Sequence, residues 1–102
     1  MPQSMPTPHD MASADVLIVG RVQGVGFRFY AHDTACRLGL CGYVMNLRGG
    51  GVRAYAEGPR QSLEAFVREL RRGPAGSLVQ RVHVVWGVST DQYMRFAIES
   101  TR

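Results

Sequence analysis

Lysine is absent. All twelve basic residues are arginine, set against eight acidic residues for a formal net charge of +4. The arginines run from Arg21 to Arg102 without forming a block. Such a surplus favours anionic partners without choosing among a phosphorylated metabolite, a nucleic acid and no partner. Cysteine is scarce, with only Cys36 and Cys41. Their spacing is not CxxC and no His/Cys cluster surrounds them, which argues against a structural metal and a disulfide scaffold. They read as free thiols, with a local disulfide closing a very small loop as the alternative. No apolar run approaches ~18 residues, so no membrane-spanning helix is available. HExxH, GxGxxG and GxxxxGK followed by Ser or Thr are all missing, which leaves metalloprotease, dinucleotide and Mg-nucleotide readings without support. The start of the chain has neither the basic end nor the apolar stretch of a secretory signal, and the expected location is cytoplasmic.

What is present is an ordinary globular composition, 45% hydrophobic and 20% charged. At 102 residues the chain makes one domain. Residues 1–13, MPQSMPTPHDMAS, are polar and Pro-containing and read as a disordered leader, leaving 14–102 as the domain. Asp15 to Val22 reads as a first strand. Both of its alternating sets are apolar, which predicts a central strand with little solvent on either face. In FRFYAHDTACRLGL, Phe27, Tyr30, Ala31, Thr34, Ala35 and Leu38 recur at helical spacing, with Gly39 as the stop. Tyr43 to Leu47 and Val52 to Glu57 read as strands joined by a hairpin turn at RGGG. GPRQSLEAFVRELRR is a second helix, with Leu63, Phe66, Val67 and Leu70 on one face and Pro59 in its first turn. Val79 to Val88 is a fourth strand. Met94, Phe96 and Ile98 form a short fifth. The order βαββαβ plus a short final strand predicts a ferredoxin-like α+β sandwich, an antiparallel sheet with two helices on one face.

The stretch GRVQGVGFR, Gly20 to Arg28, lies between the first strand and the first helix. Its glycines permit backbone conformations in which successive N–H groups converge on an anion. The helix that follows adds unpaired N–H groups and the positive end of its dipole. Arg28 falls in the first turn, where a cation is mildly unfavourable to the helix unless an anion sits between them. Its planar fork suits phosphate. The residues alone leave three readings open, a phosphate nest, a plain turn whose glycines serve packing, and a site for some other anion.

GRVQGVGFR also resembles the first signature of the acylphosphatase family, GRVQGV followed by a variable residue, an aromatic and an arginine. GYVMNLRGGGVRAYAEG, Gly42 to Gly58, is similar to the second, with Asn46, Gly50, Val52 and Gly58 in register. The resemblance spans about residues 14–99 and implies an enzyme that hydrolyses the carboxyl-phosphate bond of acyl phosphates, with no metal or cofactor. It implies that Arg28 binds the phosphate with the loop amides of Gln23, Gly24, Val25, Gly26 and Phe27, and that Asn46 positions the attacking water. The implied partner is a small acyl phosphate, and inorganic phosphate as product, rather than nucleic acid or membrane; the chain is expected to act as a monomer. Two departures stand out. Gly49 replaces a common aspartate, which predicts altered hairpin geometry. The ending IESTR differs from the family's usual one and is expected to change stability modestly.

The chemistry fits these residue types. An acyl phosphate is an activated mixed anhydride, so a strong nucleophile or a tuned base is less necessary than in peptide cleavage. Placing a water is an entropic contribution, and the amide cradle is electrostatic preorganisation. Asn46 both donates and accepts hydrogen bonds but removes no proton at neutral pH. Other polar residues carry less. His9, His32 and His83 read as structural or exposed, Cys36 as structural, and Glu64 and Glu69 as a solvated helix face. An RNA-binding module shares the element order, but its stacking aromatics would fall at Gly50 and Val52. A non-catalytic phosphate-binding domain of the same family is a further alternative, against which both Arg28 and Asn46 argue.

Overall fold

A computed structural model describes residues 10–102. The elements are β1 (Met11–Arg21), α1 (Phe27–Arg37), β2 (Cys41–Asn46), β3 (Val52–Pro59), α2 (Arg60–Arg72), β4 (Leu78–Gly87) and β5 (Phe96–Ile98). They form one five-stranded sheet in the order β4-β1-β3-β2-β5, with both helices on one face. The ferredoxin-like architecture is therefore as expected from the element order. The sheet is mixed rather than antiparallel, because β5 runs parallel to β2.

Three expectations shift. The strand begins at Met11, so Met11–Ser13 are not leader: they pair with Pro59, Gly58 and Glu57 of β3. Met, Ala and Ser carry no strand pattern, and the backbone partners of this stretch lie far along the chain. Leader positions 1–9, His9 among them, lie outside the described residues. Pro59 is the last residue of β3 and the N-cap of α2 rather than part of its first turn, at φ −60 and ψ 137. Finally, β1 is central but covered on one face only. Ala14, Val16 and Ile18 are fully buried under the helices, whereas Leu17 on the opposite face is 37% exposed.

The covered face makes the core. Val16 stands opposite Ala54 and Val84, and Ile18 opposite Val52 and Val82. Leu63, Phe66, Val67 and Leu70 of α2 pack onto them, each burial contributing about 1.5–3 kcal/mol. Helix α1 presents Phe27, Ala31, Thr34 and Ala35 to the same core. It ends with Gly39 N–H donating to the Cys36 carbonyl (3.1 Å) and Leu40 N–H to the Ala35 carbonyl (2.9 Å), the paired bonds of a Schellman motif. Cys36 and Cys41 are free.

The open face carries a side-chain layer that the periodicity had not announced. Tyr43 and Tyr55 are cross-strand partners, stacked at 5.6 Å, and Tyr93 leans on both. Arg53 forks onto both Asp15 carboxylate oxygens at 2.9 and 2.6 Å. Glu57 is 4% exposed and accepts bonds from the Tyr55 hydroxyl, the Thr90 amide and hydroxyl, and the Ser89 hydroxyl. This binds the segment after β4 to the sheet. Val52, one of the positions where an RNA-binding sheet would need a ring, is fully buried on the helix side.

Candidate active site

The three glycines of GRVQGVGFR have different reasons to be there. Gly20 sits where the β1–β4 register shifts, and a Cβ on it would lie 2.1 Å from the Leu78 carbonyl oxygen. It lets two backbones approach. Gly24 and Gly26 adopt φ 73 and 76, with Val25 between them at negative φ. A Cβ on either would meet nothing within 4 Å. These two serve conformation rather than packing. Alternation of φ sign turns successive N–H groups toward one side and makes an anion-binding concavity. Among the described residues, no acceptor takes the amides of Gly24 to Phe27.

Gly26 is the N-cap of α1, with no side-chain cap and no acidic residue in the first turn. The first N–H groups of the helix are therefore open to an external anion. Buried Val22 and Phe27 anchor the loop at its two ends. Arg28 is half-buried and, among the described residues, has no carboxylate partner; its Nη1 donates to the Glu99 carbonyl at 3.2 Å. A guanidinium held by a neutral carbonyl keeps its full charge available to a ligand.

Asn46 arrives from the other direction, as the last residue of β2. It and Arg28 line one cavity of about 220 Å³ together with Val22, Gly24, Gly26, Phe27 and Phe29. Residues 18 apart in sequence are thus brought to one pocket by the pairing of β2 beside the loop. Val25 is half-buried and packs on the core rather than lining this cavity. The side chain of Gln23 does not face it either: its Nε2 donates to the carbonyls of Leu47 (2.7 Å) and Gly51 (2.8 Å).

The C-terminal segment does more than adjust stability. Glu99 N–H donates to the Val44 carbonyl (2.8 Å), Arg102 N–H to the Asn46 carbonyl and Arg48 N–H to the Arg102 carbonyl (both 3.0 Å). Residues 99–102 thus continue alongside β2, holding Arg28 through the Glu99 carbonyl and the Asn46 backbone through Arg102. Backbone groups do this, so no side-chain pattern could have signalled it. Gly49 lies in the turn with φ 97, followed by Gly50 at φ 116, and the turn closes through Leu47 N–H to the Gly51 carbonyl at 2.8 Å.

The other polar residues sit apart from the cavity. Glu64 is exposed, as expected, and pairs with Arg60. Glu69 is not simply solvated. It accepts the Tyr30 hydroxyl at 2.8 Å, and burial together with this bond pushes the Tyr30 phenol up to about 12. His32 lies beside the Cys36 sulfur (3.7 Å) and the Phe96 ring, and His83 is exposed on β4. Among the described residues, no group of three His, Cys, Asp or Glu side chains is placed to hold a metal.

A ferredoxin-like sandwich whose strand-to-helix glycine loop, an arginine and an asparagine line one cavity is the architecture to set beside known proteins. The acylphosphatase profile matches residues 14–98. An acylphosphatase of Thermus thermophilus is 49% identical over 71 residues, covering 70% of this chain and 81% of that protein. One from Anaeromyxobacter is 49% identical over 78 residues, covering 76% and 84%. The crystal structure of the Bacillus subtilis acylphosphatase superimposes with a TM-score of 0.84 at 35% identity, covering 86% of this chain and 98% of that one. Full-length HypF in its phosphate- and nucleotide-bound form is 30% identical with a TM-score of 0.82, covering 98% of this chain but 13% of its own. The BLUF protein BlrB, at 18% identity and a TM-score of 0.67, shares the fold alone. The chain belongs to the acylphosphatase family and is a hydrolase of that type.

Proposed function

We propose that this enzyme cleaves acyl phosphates in the cavity between the glycine loop and β2, with Arg28 and the amides of Gln23 to Phe27 holding the phosphoryl group and Asn46 placing the water. The observation that supports this is the joint lining of one cavity by Gly24, Gly26, Phe27, Arg28 and Asn46. The phosphoryl oxygens accept the loop N–H groups and the Arg28 fork, so the anion's charge is offset before the lone pair of the water oxygen approaches. Asn46 orients a water toward phosphorus. The water oxygen forms a bond to phosphorus while the bond from phosphorus to the acyl oxygen breaks, and the carboxylate departs as a weak base without a general acid. The water proton passes to phosphate or solvent, since Asn46 takes none. Catalysis on this account is placement plus fixed electrostatics.

The experiment is hydrolysis of benzoyl phosphate in the presence of a chelator. Wild type is expected to turn over undiminished. Arg28→Gln is expected to lose both turnover and inhibition by inorganic phosphate. Asn46→Ala is expected to lose turnover and keep the inhibition. Wild-type levels of both readouts in Arg28→Gln would remove the anchor role, and turnover intact in Asn46→Ala would remove the water role. The active unit on this reading is a monomer, which gel filtration of the active protein tests.

A further inference from the structure

We infer that Gln23 is a positioning residue: its carboxamide ties the glycine loop to the β2–β3 turn and so sets where Asn46 stands relative to the phosphoryl group. The inference rests on the functional reading above, because it assigns Gln23 a role through Asn46. Both bonds come from one nitrogen. Nε2 donates to the Leu47 carbonyl at 2.7 Å and to the Gly51 carbonyl at 2.8 Å, reaching 24 and 28 residues along the chain. An amide nitrogen has two protons, so both are committed to the turn and neither points into the cavity. The same carbonyls already close the turn, Gly51 accepting Leu47 N–H and Leu47 accepting Gly50 N–H. A carbonyl has two acceptor sites, and Gln23 fills the second on each.

The consequence is geometric. Asn46 directly precedes Leu47, and Gly24 directly follows Gln23. One carboxamide therefore joins the residue beside the water-positioning group to the residue beside the nest. Glutamine alone among the twenty side chains combines this reach with two protons on a neutral head. Glutamate would set a charge against two carbonyl oxygens. Asparagine is one methylene short. The turn it grips contains Gly49, Gly50 and Gly51, which have no side chains with which to fix themselves.

The test is a double-mutant cycle between Gln23→Met and Asn46→Ala, with kcat and KM for benzoyl phosphate and the inhibition constant of inorganic phosphate as readouts. Gln23→Met keeps length and removes the donors. Its kcat is expected to fall about 10- to 100-fold, since an ångström of misplacement costs on the order of 100-fold in rate. Phosphate inhibition is expected to stay within about threefold, because the loop amides and Arg28 remain in place. In the Asn46→Ala background the Gln23 change should add little, the signature of two residues acting through one effect. Three results would overturn the inference: an unchanged kcat in folded Gln23→Met, full additivity with Asn46→Ala, or phosphate inhibition weakened as much as turnover. The Asn46→Ala single variant reports on the functional reading separately, so failure of one is told from failure of the other. Should Gln23→Met not fold, the wild-type protein still decides. Its Gln23 side-chain amide protons should be protected from solvent exchange by NMR, and free exchange would reject the tie.

Discussion

The two helices of this protein begin in similar ways but in different surroundings. Neither N-cap, Gly26 or Pro59, makes a side-chain capping bond, neither first turn holds an acid, and each carries an arginine, Arg28 or Arg60. At α2 the arginine is already occupied. It pairs with Glu64 at 3.2 Å and lies 3.7 Å above the Trp86 ring. At α1, among the described residues, the arginine meets a neutral carbonyl and no carboxylate, and a glycine loop with open amides precedes it. On the proposed function, a helix dipole and a nearby arginine are not enough for an anion site. The site also needs donors without internal acceptors and a cation without an internal counter-ion.

The largest expected contrast is in turnover. Arg28→Gln should lower kcat/KM for benzoyl phosphate by about 10²–10³-fold, the scale of losing one preorganised donor. Arg60→Gln should leave it within about twofold, as expected of an exposed pair. Comparable losses from both, measured under the same steady-state conditions, would erase the distinction.

The acids paired at and away from these ends should differ next. Burial alone would raise the Glu57 carboxyl, but the bonds from Tyr55, Thr90 and Ser89 outweigh it and hold it below the ordinary carboxylate range. Its stabilising contribution is therefore complete above that range and is lost as pH falls through the lowered value. Urea unfolding across acidic pH should show this loss in wild type. Glu57→Gln should be less stable at neutral pH, by about 1.5–3 kcal/mol for a charge-assisted network, with a shallower acid limb. Glu64→Gln, in the second turn of α2, should change stability by no more than about 0.5 kcal/mol.

Smaller effects concern the caps. Gly26→Ala places a Cβ in the left-handed region at a cost of about 1–2 kcal/mol and should weaken phosphate inhibition with it. Pro59→Ala keeps an accessible conformation and should lose only about 0.4–1 kcal/mol, through the freer unfolded chain, with turnover intact. Denaturant unfolding and phosphate inhibition check both, and equal effects on inhibition would mean that the cap conformation at α1 has no special role.

Much of this arrangement is legible along the chain, for local reasons. The α2 face of Leu63, Phe66, Val67 and Leu70 follows from a 3.6-residue period, and the GRVQGVGFR loop from glycine spacing at a strand-to-helix junction. The strand at Met11–Ser13 was not legible, because its side chains have no strand pattern and its reason lies in the backbones of β3 and β4. Glu69 had the spacing of a solvated residue, and only the packing of α1 on α2 brings the Tyr30 hydroxyl to it.

The sequence by itself determined the element order, the apolar faces, the family and the two residues, Arg28 and Asn46, on which the function reading rests. These depend on side-chain identity at short spacing, which a linear chain displays. Only the tertiary structure decided that Gly20 differs in purpose from Gly24 and Gly26, that Gln23 turns away from the cavity to grip the β2–β3 turn, and that residues 99–102 reach Arg28 and Asn46. Each of those depends on where a backbone carbonyl or amide far along the chain comes to lie. Every residue but proline carries the same backbone donor and acceptor, so identity alone cannot say which will meet.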